Sequence, residues 1–257
     1  MNPDKNTLER TALITGGGGG IGEAIAQSLL RDGWYVVLAG RTLAALEKVV
    51  HNITPSGGRI LCITGDISHP ADAAAIVNRA AEWRGGLELL VNNAGTAPMA
   101  PLHQTTDAQW NQIIGTNLSG PFYTLRAAWP IFAQQYHDRK AAVPAEAGQI
   151  CGGIVINISS EASRNPYPGL GAYGAAKAGV NLLTRMAARE GKDMNLRAIA
   201  IAPAAVETPM FRSLPVAGDV PTEVILSPKT VAEAVKAAAA GALWCANGET
   251  IYIHQTV

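Results

Sequence analysis

The sequence predicts an α/β fold: one doubly wound, parallel, seven-stranded sheet with helices on both faces, residues 1–257 forming a single domain. Three observations point there. Short apolar runs rich in β-branched residues alternate with longer stretches at helical spacing, which is the pattern of βαβ units stacked into a parallel sheet. At 257 residues, 48% of them hydrophobic, the chain can bury a full core. No internal repeat or low-complexity linker divides it.

The strands are expected at residues 12–15, 35–39, 60–64, 87–92, 154–158, 196–202 and 250–254. Helices fill the intervals. After Gly20, Ile21, Ile25 and Leu29 recur four residues apart and make one apolar face for the sheet. Its stop is legible too: in "RDGW", Gly33 falls where a left-handed C-cap would sit. Two stretches break the alternation. Residues 136–153, charged at first and then rich in Ala, Pro and Gly, are expected as a surface insertion. Residues 203–228 hold five prolines and follow the carboxyl end of a strand, where open α/β sheets bind ligands, so they are expected as a substrate loop.

Composition narrows the function classes. The 20 basic and 20 acidic side chains cancel and are spread along the chain, leaving no electrostatic footprint for nucleic acid or an anionic membrane. A small molecule is the expected partner. Cys62, Cys151 and Cys245 are odd in number, far apart and without CxxC spacing, which argues against a disulfide framework and a zinc site. His51, His69, His103, His137 and His254 stand apart from one another, whereas metal sites need clusters, so no metal is expected. The start, "MNPDKNTLER", has no apolar signal core, and no run of about 18 apolar residues occurs. A cytoplasmic location is expected.

Residues 15–22 read "TGGGGGIG". A glycine-rich linker would join domains, but this run lies between a predicted strand and a predicted amphipathic helix, the context of a dinucleotide-binding loop. Glycines there allow a tight turn and close approach of backbone to a pyrophosphate, and the helix amino terminus offers free N–H groups and partial positive charge. Gly16, Gly20 and Gly22 are the positions such a loop requires; Gly17, Gly18 and Gly19 are expected to fill its variable interior. About 20 residues on, an acidic residue would bond the adenosine ribose of NAD, whereas an arginine accommodates the 2′-phosphate of NADP. Here "LAGRT" puts Gly40 and Arg41 in that place. A guanidinium that forks onto phosphate favours NADP(H) as cofactor, with NAD(H) possible; the alternative is a solvated arginine opening the next helix.

In "YGAAK", Tyr173 and Lys177 are four apart in a helical segment and rise from one face. A tyrosine hydroxyl, with an ordinary pKa of about 10, is a poor acid or base at neutral pH, and a nearby ammonium moves it toward the working range. Such a pair alone is usually just exposed surface, so the neighbouring motifs decide.

Those motifs, "TGGGGGIG", "TGDIS", "NNAG", "IIGTNLSG", "NISSEAS" and "YGAAK", occur in that order, and with them the chain resembles the short-chain dehydrogenase/reductase family almost end to end. The resemblance implies a Rossmann-like fold. The family pattern TGxxxGxG falls on Thr15, Gly16, Gly20, Ile21 and Gly22. Its acidic residue on the adenine side matches Asp66, and its NNAG matches Asn92, Asn93, Ala94 and Gly95. The helix asparagine matches Asn117, the catalytic serine Ser160 rather than Ser159, and YxxxK matches Tyr173 and Lys177. By this resemblance Ser160 stabilises the oxyanion, Tyr173 transfers the proton, Lys177 holds the nicotinamide ribose and lowers the tyrosine pKa, and Asn117 anchors a water relay. The family's Pro-Gly motif with its later threonine becomes "PAAVET": Pro203 and Thr208 remain as cofactor ligands, but Ala204 stands where Gly is usual.

The expected activity is hydride transfer between a nicotinamide and a carbonyl or alcohol. A catalytically silent nucleotide-binding regulator of the same fold is the first rival, yet Asn117, Ser160, Tyr173 and Lys177 are all present. A nucleotide-sugar epimerase-like enzyme is the second, although such relatives usually space the glycines TGxxGxxG. Substrate walls are expected at residues 96–102, 161–170 and 203–228, a mainly apolar set that includes Tyr167, Met210 and Phe211. Arg164 and Arg212 either receive an anionic substrate or are ordinary surface arginines. Family resemblance implies a homotetramer or homodimer.

Overall fold

The structure, a computed structural model, describes residues 10–53, 58–142 and 150–255. Seven parallel strands, β1 (Thr11–Thr15), β2 (Tyr35–Gly40), β3 (Ile60–Thr64), β4 (Leu89–Asn92), β5 (Ile154–Ile158), β6 (Arg197–Pro203) and β7 (Thr250–Ile253), form one sheet in the order β3-β2-β1-β4-β5-β6-β7. Around it lie α1 (Gly20–Arg31), α2 (Leu43–Ile53), α3 (Pro70–Arg84), α4 (Asp107–Ile114), α5 (Gly120–Ala142), α6 (Gly171–Glu190), the short α7 (Pro209–Arg212) and α8 (Pro228–Ala239).

Strand periodicity explains the layers. Successive side chains point to opposite faces, and a parallel sheet covered on both sides needs apolar residues at every position. Along β1, Ala12 and Ile14 join Ile25 of α1, Leu46 of α2 and Val231 of α8 in one core, while Leu13 joins Ile76 of α3, Phe132 of α5 and Ala187 of α6 in the other. The register couples Ala12 to Val36 on one side and to Leu89 on the other. The chain therefore reverses its direction of travel across the sheet at β1 and β4. Ligands of open α/β sheets bind in the crevice beyond the carboxyl ends at such a switch point.

The expected strands are all present, with small shifts at their ends. Residue 87 was expected inside the fourth strand, but that strand begins at Leu89. Gln135 takes both backbone groups of Leu87, accepting its N–H at 2.6 Å and donating to its carbonyl at 2.9 Å. Gly33 has φ +83°, the left-handed conformation expected at the end of α1. The expectation of an irregular insertion from residue 136 needs correction, because α5 continues to Ala142. The charges there are partly used inside the fold: Arg139 pairs with Glu88 at 2.6 Å and donates to the Cys151 carbonyl at 2.9 Å. The rest of that expectation, residues 143–149, lies outside the described residues. Residues 203–228 are more ordered than a plain loop, with α7, two short 3-10 turns and a bridge between Val206 and Leu226. No helix among the described residues is long and apolar enough to cross a membrane.

Candidate active site

The loop after β1 is held by side chains from β1 and β4. Thr15 Oγ1 accepts the N–H groups of Asn93 and Ala94, each at 3.1 Å. Asn93 Nδ2 in turn donates to the carbonyls of Thr15 at 3.0 Å and Gly16 at 3.1 Å. The two strands are thereby tied at the switch point. Gly16 has φ +66°, and a Cβ on it would lie 2.7 Å from Ala94 Cα, so glycine is required on both counts. Gly20 has φ +56°, while Gly22 packs behind the loop against the Gly16 carbonyl and lies outside the cavity lining.

The reading of Gly17, Gly18 and Gly19 as filler is corrected in part. Gly17 donates its N–H to the Ala39 carbonyl at 3.0 Å, and a Cβ there would lie 2.9 Å from Leu38 Cβ and Cδ2. Gly19, the N-cap of α1, sits at φ +148° with no side-chain cap, which leaves the first N–H groups of α1 open to a ligand. Only Gly18 is close to a free choice, since a Cβ on it would lie 3.2 Å from Ala45 Cβ and meet no backbone closer than 3.9 Å.

A cavity of about 670 Å³ runs from this loop across the carboxyl ends of the strands. Gly16, Gly20, Ile21, Arg41, Asn93, Ala94 and Gly95 line it toward the loop and the start of α2; Ser160, Tyr173, Lys177, Pro203 and Thr208 line it toward α6 and residues 203–228. Thr42, Ala45 and Leu46 also line it, as do Val216 and Val220. Sequence reasoning missed the first three, whereas Val216 and Val220 fall within residues 203–228, expected as a substrate wall. Thr42, Ala45 and Leu46 follow Arg41 closely and were open to inference from that adjacency.

Ser160 leaves β5 in extended conformation, and its Oγ accepts the N–H of Ala162 at 3.2 Å and is hydrogen-bonded with the Tyr173 hydroxyl. Ser159 is buried and donates to the Lys177 carbonyl at 3.3 Å, so it ties β5 to α6. Lys177 is buried as well; its Nζ donates to the Ile158 carbonyl at 2.7 Å and stands 5.6 Å from the centre of the Tyr173 ring. Burial brings the lysine pKa down to about 8. The expected lowering of the tyrosine is not what this geometry yields: burial pushes the Tyr173 hydroxyl above its ordinary value, and the hydrogen bond with Ser160 only partly offsets that. The ammonium is aimed at the Ile158 carbonyl instead.

Asn117 sits on a π-helical turn, Gly115–Ser119, between α4 and α5. A π-turn inserts an extra residue and re-aims the side chains beyond it, a device common at functional sites. Asn117 is fully buried and outside the cavity lining: Nδ2 donates to the carbonyls of Thr96 at 2.8 Å and Ile113 at 2.9 Å, and Oδ1 accepts the Thr96 N–H at 3.2 Å. It reaches the site indirectly. A Cβ on Gly95 would lie 3.0 Å from Asn117 Oδ1 and 3.9 Å from Lys177 Nζ, so Gly95 permits the asparagine and the lysine to converge.

Asp66, like Gly22 and Asn117, is left off the cavity lining. Its Oδ1 accepts the N–H of Ser68 at 2.9 Å and the Ser68 hydroxyl at 2.8 Å. Burial opposes its charge, but the Ser68 bonds and the Arg41 and His69 charges outweigh that and hold its carboxyl below the ordinary value. Thr208 lines the cavity while its hydroxyl caps α7, accepting the Phe211 N–H at 3.1 Å and donating to the Val206 carbonyl at 3.3 Å. Ala204 raises no strain. Asn195 is the one non-glycine with positive φ among the described residues, and Ala204 simply donates to the Ile253 carbonyl at 3.1 Å. Arg164 and Arg212 do not line the cavity; each is paired with a neighbouring carboxylate, Glu161 and Glu207.

These residues fit a nicotinamide dinucleotide. The glycine loop is a cradle that added Cβ atoms would obstruct, the α1 amino terminus is uncapped, and a buried cation lies beyond it.

Similarity to known proteins agrees with the site. Residues 10–217 match the family model for short chain dehydrogenases. The chain is 34% identical over 211 residues to a short-chain type dehydrogenase/reductase of Picea abies, covering 79% of this chain and 72% of the relative. It is 33% identical over 234 residues to the cis-4-hydroxycyclohexanecarboxylate dehydrogenase of Sinomonas cyclohexanicum, covering 88% of each. Among solved structures, the 3-ketoacyl-(acyl-carrier-protein) reductase of Brucella melitensis, complexed with NADH, superposes with a TM-score of 0.84 at 30% identity over 96% of this chain and 98% of that one. With a nucleotide loop at the sheet's switch point and Ser160, Tyr173 and Lys177 gathered at the same cavity, this chain belongs to the short-chain dehydrogenase/reductase family of oxidoreductases.

Proposed function

We propose that this oxidoreductase transfers a hydride between NADP(H) and the carbonyl or alcohol carbon of a small molecule. One observation supports it above the rest: the hydroxyls of Ser160 and Tyr173 meet in the cavity that the glycine loop also lines. The bound nicotinamide would supply or accept the hydride. Gly16, Gly20, Ile21 and Gly22 form its pyrophosphate cradle, Asn93, Ala94 and Gly95 the wall beside the adenosine, and Pro203 and Thr208 the nicotinamide side. Asp66, engaged by Ser68, acts on the adenine side by holding the loop after β3.

Ser160 spends a lone pair on Ala162 and keeps its proton to donate to the substrate oxygen as negative charge develops there. Tyr173 gives that oxygen a proton in reduction and removes one in oxidation. Lys177 spends one of its three donors on Ile158 and has two for the ribose hydroxyls. Asn117 fixes the turn from which a water relay returns the proton. General acid catalysis is worth about 10²- to 10⁴-fold, so Tyr173→Phe should lower kcat by at least about a hundredfold. A panel of aldehydes, ketones and alcohols followed by nicotinamide absorbance checks this; near wild-type turnover by the variant sinks the mechanism.

For the cofactor, Arg41 is supported by its place on the cavity and by the acids there: among the described residues Glu161 is the one acidic residue lining it, and it directly follows Ser160. Among the described residues no carboxylate lines the cavity at the Arg41 end; Asp66, whose charge Arg41 feels, lies off the lining and is engaged by Ser68. A charge-assisted bond of about 1.5–3 kcal/mol predicts that Arg41→Asp shifts the NADPH/NADH ratio of kcat/KM by roughly ten- to a hundredfold toward NADH. An unchanged ratio would remove the NADP assignment. We further assign the enzyme to the cytoplasm and to a homotetramer or homodimer.

A further inference from the structure

Resting on the hydride-transfer reading above, we propose that the substrate is neutral and apolar around its reacting carbon, and that Glu161 is the residue that turns anionic substrates away. Among the described residues, the charged ones lining the cavity are Arg41, Lys177 and Glu161. Arg41 belongs to the end formed by Gly40, Thr42 and Ala45, and the Lys177 ammonium has one donor on the Ile158 carbonyl and, in the reading above, its other two on the cofactor ribose. Glu161 directly follows Ser160 in the chain and lines the cavity with it, so it is the acidic side chain on the wall that carries the proposed oxyanion donor. The wall on this side is mainly apolar, with Leu170, Met210, Phe211 and Leu214, and its polar members Asn165 and Tyr167 carry no charge.

The two arginines that would have received an anion are committed elsewhere. Arg164 Nε donates to both Glu161 oxygens, at 3.0 and 3.2 Å. Its guanidinium also lies 3.7 Å from the centre of the Tyr252 ring, and Nη2 contacts His254 Nε2 at 3.0 Å. The pair is oriented: the Glu161 side chain is 21% exposed and lines the cavity, whereas Arg164 is 50% exposed and does not, so the anion faces inward and the cation outward. Arg212 is held by Glu207, with Nε at 2.8 Å from Oε1. Among the described residues this wall therefore offers no cation without breaking an ion pair. A carboxylate entering would lose its water against apolar side chains and stand beside a like charge, and both effects disfavour it. A neutral ketone or alcohol incurs neither.

The test uses methyl 4-formylbenzoate and 4-formylbenzoate, which share ring and aldehyde and differ in charge. With NADPH and with NADH, kcat/KM for the ester should exceed that for the acid by at least about tenfold, the factor that 1.4 kcal/mol represents. Glu161→Gln, which keeps an acceptor for Arg164 but removes the charge, should narrow that preference at least threefold. Equal rates, a preference for the acid, or a ratio unmoved by Glu161→Gln overturns the proposal while leaving hydride transfer intact. If neither aldehyde turns over, the hydride-transfer reading is what fails for this class, and melting of the NADPH-saturated protein with each compound decides charge exclusion. A larger rise in Tm with the ester supports it; an equal or larger rise with the acid overturns it.

Discussion

Lys177 holds its charge where burial opposes it, and that has a consequence for pH. With its pKa brought down to about 8, the ammonium is present below that pH and lost above it, while Tyr173, pushed up, stays protonated throughout. In the reduction direction, kcat/KM should therefore fall as pH rises through about 8, and the falling limb belongs to the lysine. A guanidinium keeps its charge in proteins, so Lys177→Arg should move that limb upward by at least about one pH unit, whatever its absolute rate. A pH–rate profile of both proteins measures it, and coincident limbs would assign the titration to another group. The sequence showed the pairing of Tyr173 with Lys177 because spacing along a helix is local. It did not show that the ammonium would be spent on Ile158, since that carbonyl arrives from β5.

At the scale of the element, the loop between β1 and α1 shows what a motif conceals. Three glycines answer to the family pattern, but Gly17 is also pressed against Leu38 of β2 and Gly19 holds a left-handed turn. Overpacking a fixed site costs about 1–3 kcal/mol, so Gly17→Ala should lower Tm by several degrees, and Gly18→Ala by less. Thermal melts of the two variants compare them; an equal loss would mean that Leu38 yields freely. The same lesson applies to α5, whose charged end looked like an insertion. Helical spacing was interrupted in the sequence by polar residues, yet Arg139 of that end pairs with Glu88 beside β4. Asn117 likewise reads as an ordinary helix residue until the π-turn at Gly115–Ser119 turns it onto Thr96.

For the whole molecule, the exposed apolar side chains of the described surface include Trp110 on α4, Phe122 on α5, and Leu182 and Met186 on α6. Where exposed apolar side chains form one patch, another subunit commonly covers it, and we propose that these form one. Light scattering should thus find an oligomer, and Leu182→Glu with Met186→Glu should lower its mass; a monomeric parent, or a variant of unchanged mass, removes that assignment. The sequence by itself determined the layered α/β class, the seven strands, the nucleotide loop and the order of the motifs. Each of these follows from side-chain periodicity or from backbone freedom within a few neighbouring residues. Only the tertiary structure decided which of those residues reach the cavity: Asp66 is turned to Ser68, Asn117 to Thr96, and Thr208 spends its hydroxyl on capping α7. It also decided that Arg164 faces Tyr252 and leaves Glu161 toward the cavity. Asp66 and Thr208 bond neighbours two and three residues away, so for them the fold decides only where that turn sits; for Asn117 and Arg164 the reason is longer in range. A polar side chain goes to the best partner that folding brings within reach, and that partner can come from a strand or helix distant in the chain.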